Sequence, residues 1–381
     1  MIKRNLQIGS YAYGGIPLDS QVQMAVDAEK EGWDFFCYWD QANGWTPRAI
    51  YTPDITPLAS VVPDLDVFYD APVAIAQAAT KAEKITFMNA VIDVVRRPPY
   101  VQALTMLTLD HATKGRNITI YASGEIKQMR AYGFSRIGSA DKLWDTMHIV
   151  RKFCEANSEP ITFEGRQYKV DRALLALQPY GKKPPPMWVA GASEECYYLG
   201  GAIGDGWTTY GPPGVHDNVE MFKEQVAKVH EHARKAGRNP DDVAICFQAM
   251  IMVHDDPKEL DKLRDHPHVR WMSQMVLPSS NLYKEWGLGP HPMGDDWFYG
   301  AKMDRHYAMT KEAVLDICNR TPREAADHVF YTGSPAEVAE KLRPFLEAGV
   351  THLLLMNVAP LAGHPDLRPQ VMEAIRAFPT N

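Results

Sequence analysis

Cysteine is scarce in this chain and scattered along it. The 381 residues include five, Cys37, Cys154, Cys196, Cys246 and Cys318, and no two stand in a CxxC spacing. An odd, dispersed set argues against a disulfide framework and suits reduced thiols in a cytoplasmic protein. Long apolar runs are lacking as well. Nothing approaches the ~18 consecutive apolar residues of a membrane span, and "MIKRNLQIGSYAYGG" has no stretch resembling a signal-peptide core. Positive charge is not in excess, since the formal net charge is −7. That balance argues against a general nucleic-acid or membrane-surface binder, leaving a small molecule as the expected partner. Familiar hydrolytic signatures are missing too: there is no Gly-x-Ser-x-Gly, no His-Glu-x-x-His and no Walker loop. His, Cys and paired carboxylates do not converge, so no metal site is expected.

What the chain does have is an ordinary globular composition, 45% hydrophobic and 23% charged, which is enough for a sizeable core. Eight short apolar runs read as strands: Leu6–Tyr11, Trp33–Trp39, Lys84–Val91, Asn117–Ser123, Pro186–Gly191, Gly206–Tyr210, Val243–Val253 and Thr351–Val358. Most lack polar alternation, as strands covered on both faces do. Helical patterns lie between them. Ser20–Glu31 has helical spacing and is followed by Gly32 at the C′ position. "TPRE" (Thr321–Glu324) and "SPAE" (Ser334–Glu337) each read as a capping box with proline at the first helical position. The helix opened by the second should kink at Pro344. Repeated β-α alternation predicts an α/β fold, a (β/α)8 TIM barrel, in one domain over 1–381. A doubly wound sheet with a second domain is the alternative.

Two stretches interrupt the rhythm. "TFEGRQYKV" (Thr162–Val170) reads as a small hairpin. Residues 255–309 are long, aromatic and proline-rich, with Trp271, Trp286, Trp297 and Tyr299. A connection of that length reads as an inserted lid or as a subunit interface.

In a barrel, chemistry gathers where the strands end. "GWDFFCYWDQANGW" (Gly32–Trp45) delivers Trp39, Asp40, Gln41, Asn43 and Trp45 to one such end. The other strand ends bring Ser10, Tyr11 and Tyr13; Asn89, Ala90, Val91 and Asp93; Ser123, Gly124 and Glu125; Gly191, Ala192 and Ser193; and Thr209 and Tyr210. Aromatic surfaces, amides, hydroxyls and a few acids suit a flat polar ring system that brings its own chemistry. In "VAGASEECYYLGGAIGDGW" (Val189–Trp207) a strand turns into a helix near Ser193, and free N–H groups there suit a phosphate. Gly124 would let a ligand approach the backbone, and Glu125 could exchange a proton with a cofactor ring or merely be a salt-bridged acid. Asp40 could contact a cofactor or brace its loop. Arg96 and Arg97 could bind an anion or lie in solvent. His111 reads as structural.

Four stretches together resemble the luciferase-like flavin and deazaflavin (coenzyme F420) superfamily. They are "GWDFFCYWDQANGW", Ala79–Glu125, "PPPMWVAGASEECYYLGGAIGDGW" and "YTGSPAEVAEKLRPFLEAGVTHLLLMNV". "PRAI" after Trp45, "DVVRRPP" and "HPMGDDWFYG" further resemble the phthiodiolone ketoreductase-like, F420-dependent branch. The resemblance implies a (β/α)8 barrel with an inserted lid, coenzyme F420 at its mouth (FMN being the alternative) and a homodimer. It implies a non-prolyl cis peptide at Ala90–Val91 behind the ring and phosphate contacts at Ala192 and Ser193. It carries cofactor contacts onto Asp40, Asn89, Ser123 and Gly191, and catalytic roles onto Gln41, Trp45 and Glu125. Tyr11, Tyr13 and Trp39 would then shape an apolar or aromatic substrate pocket. Gln41 stands where many F420-dependent relatives have a histidine. Glutamine can orient a carbonyl but cannot titrate, so reduction of an acceptor fits better than histidine-driven alcohol oxidation. An FMN-dependent monooxygenase, or a barrel that only sequesters cofactor, are the competing readings.

Overall fold

The computed structural model describes residues 2–181, 183–277 and 279–380. Eleven strands follow in chain order: β1 (Gln7–Tyr11), β2 (Phe35–Trp39), β3 (Thr86–Asp93), β4 (Asn117–Ala122), β5 (Ile161–Glu164), β6 (Lys169–Ala173), β7 (Met187–Ala190), β8 (Gly206–Gly211), β9 (Ala244–Val253), β10 (Tyr331–Gly333) and β11 (His352–Asn357). Eight of them pair in parallel in the order β1-β2-β3-β4-β7-β8-β9-β11, and β11 returns to β1. The ring is closed, which excludes the doubly wound alternative. These eight are the eight apolar runs expected from the sequence, with ends shifted by a residue or two. The short β10 extends the ladder beside the end of β9, with Tyr331 opposite Ile251.

Closure explains why the runs lack polar alternation. One face of each strand packs inside the barrel, where Phe35, Cys37, Met88, Ala90, Ile118, Ile120, Trp188, Cys246 and Leu354 form a cluster. The other face packs on the helical ring. There Phe247 stacks on Phe345 at 5.0 Å between ring centres, and both meet Phe222. Both faces are dry, so both are apolar.

The local signals are mixed in outcome. Gly32 caps the helix Leu18–Glu31 in the left-handed conformation at φ 85°. Ser334 and Glu337 form the expected capping box, and their helix runs through Pro344 to Glu347. "TPRE" is not a box. Thr321 instead ends the preceding helix, Lys311–Arg320, and its hydroxyl donates back to the Ile317 carbonyl at 2.8 Å. A buried threonine hydroxyl one turn past a helix satisfies that carbonyl, and so does not reach forward as a cap. The hairpin is present as β5 and β6, slightly longer than expected.

The described part of residues 255–309 carries four short α-helices, Pro257–Asp265, Pro267–Met275, Ser280–Glu285 and Tyr299–Lys302, and a 3-10 turn at His306–Ala308. Pro278 lies outside the described residues. The segment builds a second apolar cluster with Trp271, Met272, Met275, Leu282, Tyr283 and Trp297 buried in it. No helix among the described residues is long and apolar enough to cross a membrane.

Candidate active site

The strand tips surround a cavity of about 720 Å³. A smaller chamber of about 140 Å³ adjoins it. The two share Trp39, Gln41, Trp45, Met250 and Met356 as a dividing wall. The large one is within the range of volumes that hold cofactors and drug-sized ligands.

The loop after β2 forms one side. The Asp40 N–H donates to the Ala90 carbonyl at 3.0 Å, so this loop continues the β2–β3 ladder beyond Trp39. The Asp40 carboxylate is buried and takes Arg96 at 2.8 Å and Arg97 at 3.4 Å. Burial raises its pKa above the usual carboxylate range, and the two guanidinium groups pull against that. Arg96 also pairs with Asp93, and Arg97 with Asp70 at 2.5 Å. Of the two readings of Asp40, the loop brace is what its contacts express, although it borders the cavity. Arg96 and Arg97 are already paired with carboxylates, Arg96 with the buried Asp40 and Asp93 and Arg97 with Asp40 and the half-exposed Asp70, and Arg96 also borders the cavity.

The tip of β3 contributes Val91 to the cavity wall, after the cis Ala90–Val91 bond. Ala90 lies just below, within the barrel-interior cluster. Asn89 does not reach the cavity. It sits between Met88 and Ala90, both of which face the interior, so strand alternation turns its side chain to the helical side. There its amide is fully buried with no hydrogen-bond partner.

Ser123, Gly124 and Glu125 follow β4 along another side. Glycine at 124 is required by the chain's own packing. Its φ is 84°, and a Cβ there would come within 2.6 Å of the Asp93 Cβ. Gly124 also borders the cavity. Glu125 is partly exposed, and its carboxylate lies 3.5 Å from the Lys127 ammonium. At the tip of β7, Gly191, Ala192 and Ser193 line the cavity. The Ser193 hydroxyl accepts the Cys196 N–H at 3.3 Å and caps the helix Glu194–Tyr198. Gly191 adopts φ 140°, and a Cβ there would meet the Cys196 Sγ at 2.7 Å. The acids that follow have cationic partners of their own, Glu194 with Lys228 at 3.6 Å and Glu195 with Arg166 at 2.5 Å.

Tyr11 and Tyr13 line the smaller chamber, and Trp39 lines both. Tyr11 meets Tyr13 at 4.8 Å and Trp39 at 5.7 Å between ring centres, and Trp39 meets Trp45 at 6.3 Å. Leu65, Phe68, Met272, Phe330 and Leu361 complete an apolar surface.

The inserted segment roofs the large cavity with Val276, Phe298, Tyr299 and Gly300. It is tied down on two sides. The Trp271 indole N–H donates to the Trp45 carbonyl at 2.8 Å, and the Tyr210 hydroxyl donates to the Val276 carbonyl at 3.2 Å. Burial, reinforced by the nearby Glu125 charge, raises the Tyr299 phenol well above its ordinary range.

Sequence reasoning missed Lys127 and Gln128, just past Glu125. Lys127 is fully buried, and its ammonium reaches the Gln41 side chain and the Asn43 carbonyl. Gln128 Oε1 accepts the Ala42 N–H at 2.6 Å. Nothing in "GEIKQM" marks a lysine as buried, since lysine is ordinarily among the most exposed residues. Arg136, Thr208 and Gln248 also border the cavity. The residues present fit a flat, polar, phosphate-bearing cofactor: the rings of Trp39, Trp45, Tyr210 and Tyr299 border the same cavity as the polar Ser123, Thr208 and Gln248 and the turn at Gly191–Ser193.

A closed parallel barrel with its cavity at the strand tips, roofed by an insertion, is the layout of a barrel enzyme, whose active site lies at that face. The luciferase-like monooxygenase family model matches residues 4–352, and the chain belongs to that family. It is an oxidoreductase. The chain is 25% identical over 352 residues to the phthiodiolone/phenolphthiodiolone dimycocerosates ketoreductase of Mycobacterium kansasii, covering 92% of this chain and 93% of that one. It is 21% identical over 368 residues to the F420-dependent glucose-6-phosphate dehydrogenase of Nakamurella multipartita, covering 93% and 92%. Among solved structures, an F420-dependent secondary alcohol dehydrogenase in complex with an F420-acetone adduct superimposes with a TM-score of 0.70 at 20% identity, covering 98% of this chain and 99% of that one.

Proposed function

We propose that the chain is an F420-dependent reductase acting on an electrophilic carbon of an apolar or aromatic acceptor, of ketone, imine or nitroarene type. The observation that carries this reading is the two-chamber layout: a cavity of cofactor size meets an apolar chamber across a wall containing Gln41 and Trp45. The names of the relatives support the choice of cofactor. When bound, reduced F420 supplies a hydride from C5 of its deazaflavin ring.

The protein's own part is positioning. Val91, Ser123 and the Gly191–Ser193 turn would hold the cofactor, with its phosphate at Ala192 and Ser193. Tyr11, Tyr13 and Trp39 would seat the apolar part of the acceptor. Gln41 and Trp45 would hold its reacting end, and Glu125 or water would return a proton. Segment 255–309 would act as the lid that excludes water, and two copies would form a homodimer.

The test is titration of the purified apoprotein with F420 and with FMN, followed by absorbance of the bound ring. Tight F420 binding with weak FMN binding is expected. Preference for FMN, with oxygen-dependent turnover, would support the flavin monooxygenase reading, which the family description favours. Failure to bind either would end both.

A further inference from the structure

Lys127 lies behind the site and not in it. Its side chain is 0% exposed, and it does not border either chamber. Three acceptors surround its ammonium: the Asn43 carbonyl at 2.8 Å, Gln41 Oε1 at 3.1 Å and the Glu125 carboxylate at 3.5 Å. An ammonium carries three protons and no lone pair, so this set saturates it. The geometry has a consequence for Gln41. An amide can ordinarily flip, presenting either oxygen or N–H₂ to a ligand. A neighbour that only donates removes the choice, because it can pair only with Oε1. The Gln41 Nε2 is then turned away from Lys127, and among the described residues it donates to nothing. Gln41 borders both chambers.

We infer that Lys127 is a positioning residue: it grips Gln41 by Oε1, so that the Nε2 amide donates to the oxygen of a carbonyl-type acceptor as that oxygen gains negative charge. The inference rests on the proposed reduction and narrows the acceptor to one presenting a hydrogen-bond acceptor, not a donor, at its reacting end. Bound reduced deazaflavin would supply a hydride to the carbonyl carbon, the C=O π pair would move to oxygen, and a proton taken from water would complete the alcohol. A lysine drawn on to the opposite side of the amide polarises its N–H groups, which strengthens their donation.

Burial lowers the Lys127 pKa to about 8, against the pull of Glu125. The charged and titratable groups around it are Glu125 on its own turn, Asp66, Arg96 and, from the inserted segment, His306. His306 is itself lowered to about 4 by burial and so stays neutral at neutral pH. Lys127 is thus the group expected to change charge there as pH rises through about 8. A neutral amine has a lone pair, and the grip on Oε1 would loosen.

The test uses N,N-dimethylbenzamide, an inert carbonyl compound that accepts but cannot donate hydrogen bonds. Its binding is measured by calorimetry on the full chain, with and without oxidised F420. Turnover is followed with reduced F420 and acetophenone. Lys127→Met should bind F420 within about twofold of wild type, bind the amide roughly tenfold more weakly and lose ten- to a hundredfold in kcat. Combining it with Gln41→Ala should cost no more than Gln41→Ala alone, since both break one arrangement. Wild-type amide affinity should fall above pH 8, and that of Lys127→Met should not. Gln41→Glu keeps a partner for Lys127 but offers the chamber an acceptor, so it should lose amide binding too. This second variant reads the same arrangement if Lys127→Met does not fold. Equal amide affinity in wild type and in either variant overturns the inference, as do additive losses in the double variant or an absence of amide binding by wild type. Loss of F420 binding by wild type overturns the proposed function instead, and the cofactor-free arm still reads the Lys127–Gln41 pair.

Discussion

At the scale of single residues, the site depends on charges that the fold has already spent on one another. Asp40, Asp93, Arg96 and Arg97 form a buried network behind the loop that carries Gln41 and Trp45. Removing one member of a buried pair leaves its partner uncompensated and typically costs 3–5 kcal/mol. Arg96 and Arg97 retain Asp93 and Asp70, so Asp40→Ala should cost about 3 kcal/mol, at the low end, in urea unfolding. Were Asp40 only a cofactor contact, stability would be unchanged and cofactor affinity alone would fall. Residue types and strand ends revealed Gln41, Trp45, Glu125 and the Gly191–Ser193 turn. The pairing of Asp40 with Arg96 could not be seen, because 56 positions separate them. Lys127 was hidden for a related reason: its burial is created by the Gln41–Asn43 loop and not by its sequence neighbours. Asn89 went astray because residues next to one another on a strand face opposite ways, and the sequence does not say which residue points inward.

At the scale of elements, the eight strands were readable because burial on both faces leaves a dense apolar run with defined ends. The inserted segment was recognisable only as a length of chain too aromatic to remain in water. Its docking depends on a few directional contacts, which composition does not encode. Trp271 is the main one, buried at 1% exposure with its N–H on the Trp45 carbonyl. Trp271→Phe removes that hydrogen bond, leaves the carbonyl unpaired and opens a small void. A loss of about 2 kcal/mol is expected. Amide hydrogen exchange over Pro267–Met275 should quicken, and exchange in β1 and β2 should not. Unaltered exchange in the helix would mean that its apolar cluster alone holds it.

At the scale of the whole molecule, three buried histidines and the partly buried His352 couple stability to acidity. Burial lowers His268 to about 3 and His291, His306 and His352 to about 4. In the unfolded chain each titrates near 6.5. Between about pH 6.5 and 4 the unfolded state therefore binds more protons, so stability falls as pH falls. The stabilisation is fully present above pH 6.5. At 1.36 kcal/mol per pKa unit the upper limit is about 3 kcal/mol for each of His291, His306 and His352 and about 5 kcal/mol for His268. The urea midpoint should drop steeply over that window, and His352→Gln should flatten the drop. A midpoint independent of pH down to 4.5 would contradict the burial of these rings.

The scattered thiols gain a use from the same closure. All five are unpaired and buried, and burial raises each above its ordinary pKa. Protonated and shielded, they should resist alkylation while the barrel stays shut. Cys196 differs in one respect, because it borders the large cavity beside the Gly191 turn. Slow labelling should therefore begin there, and an occupant at the turn should slow it further, so a native thiol would serve as a built-in occupancy gauge.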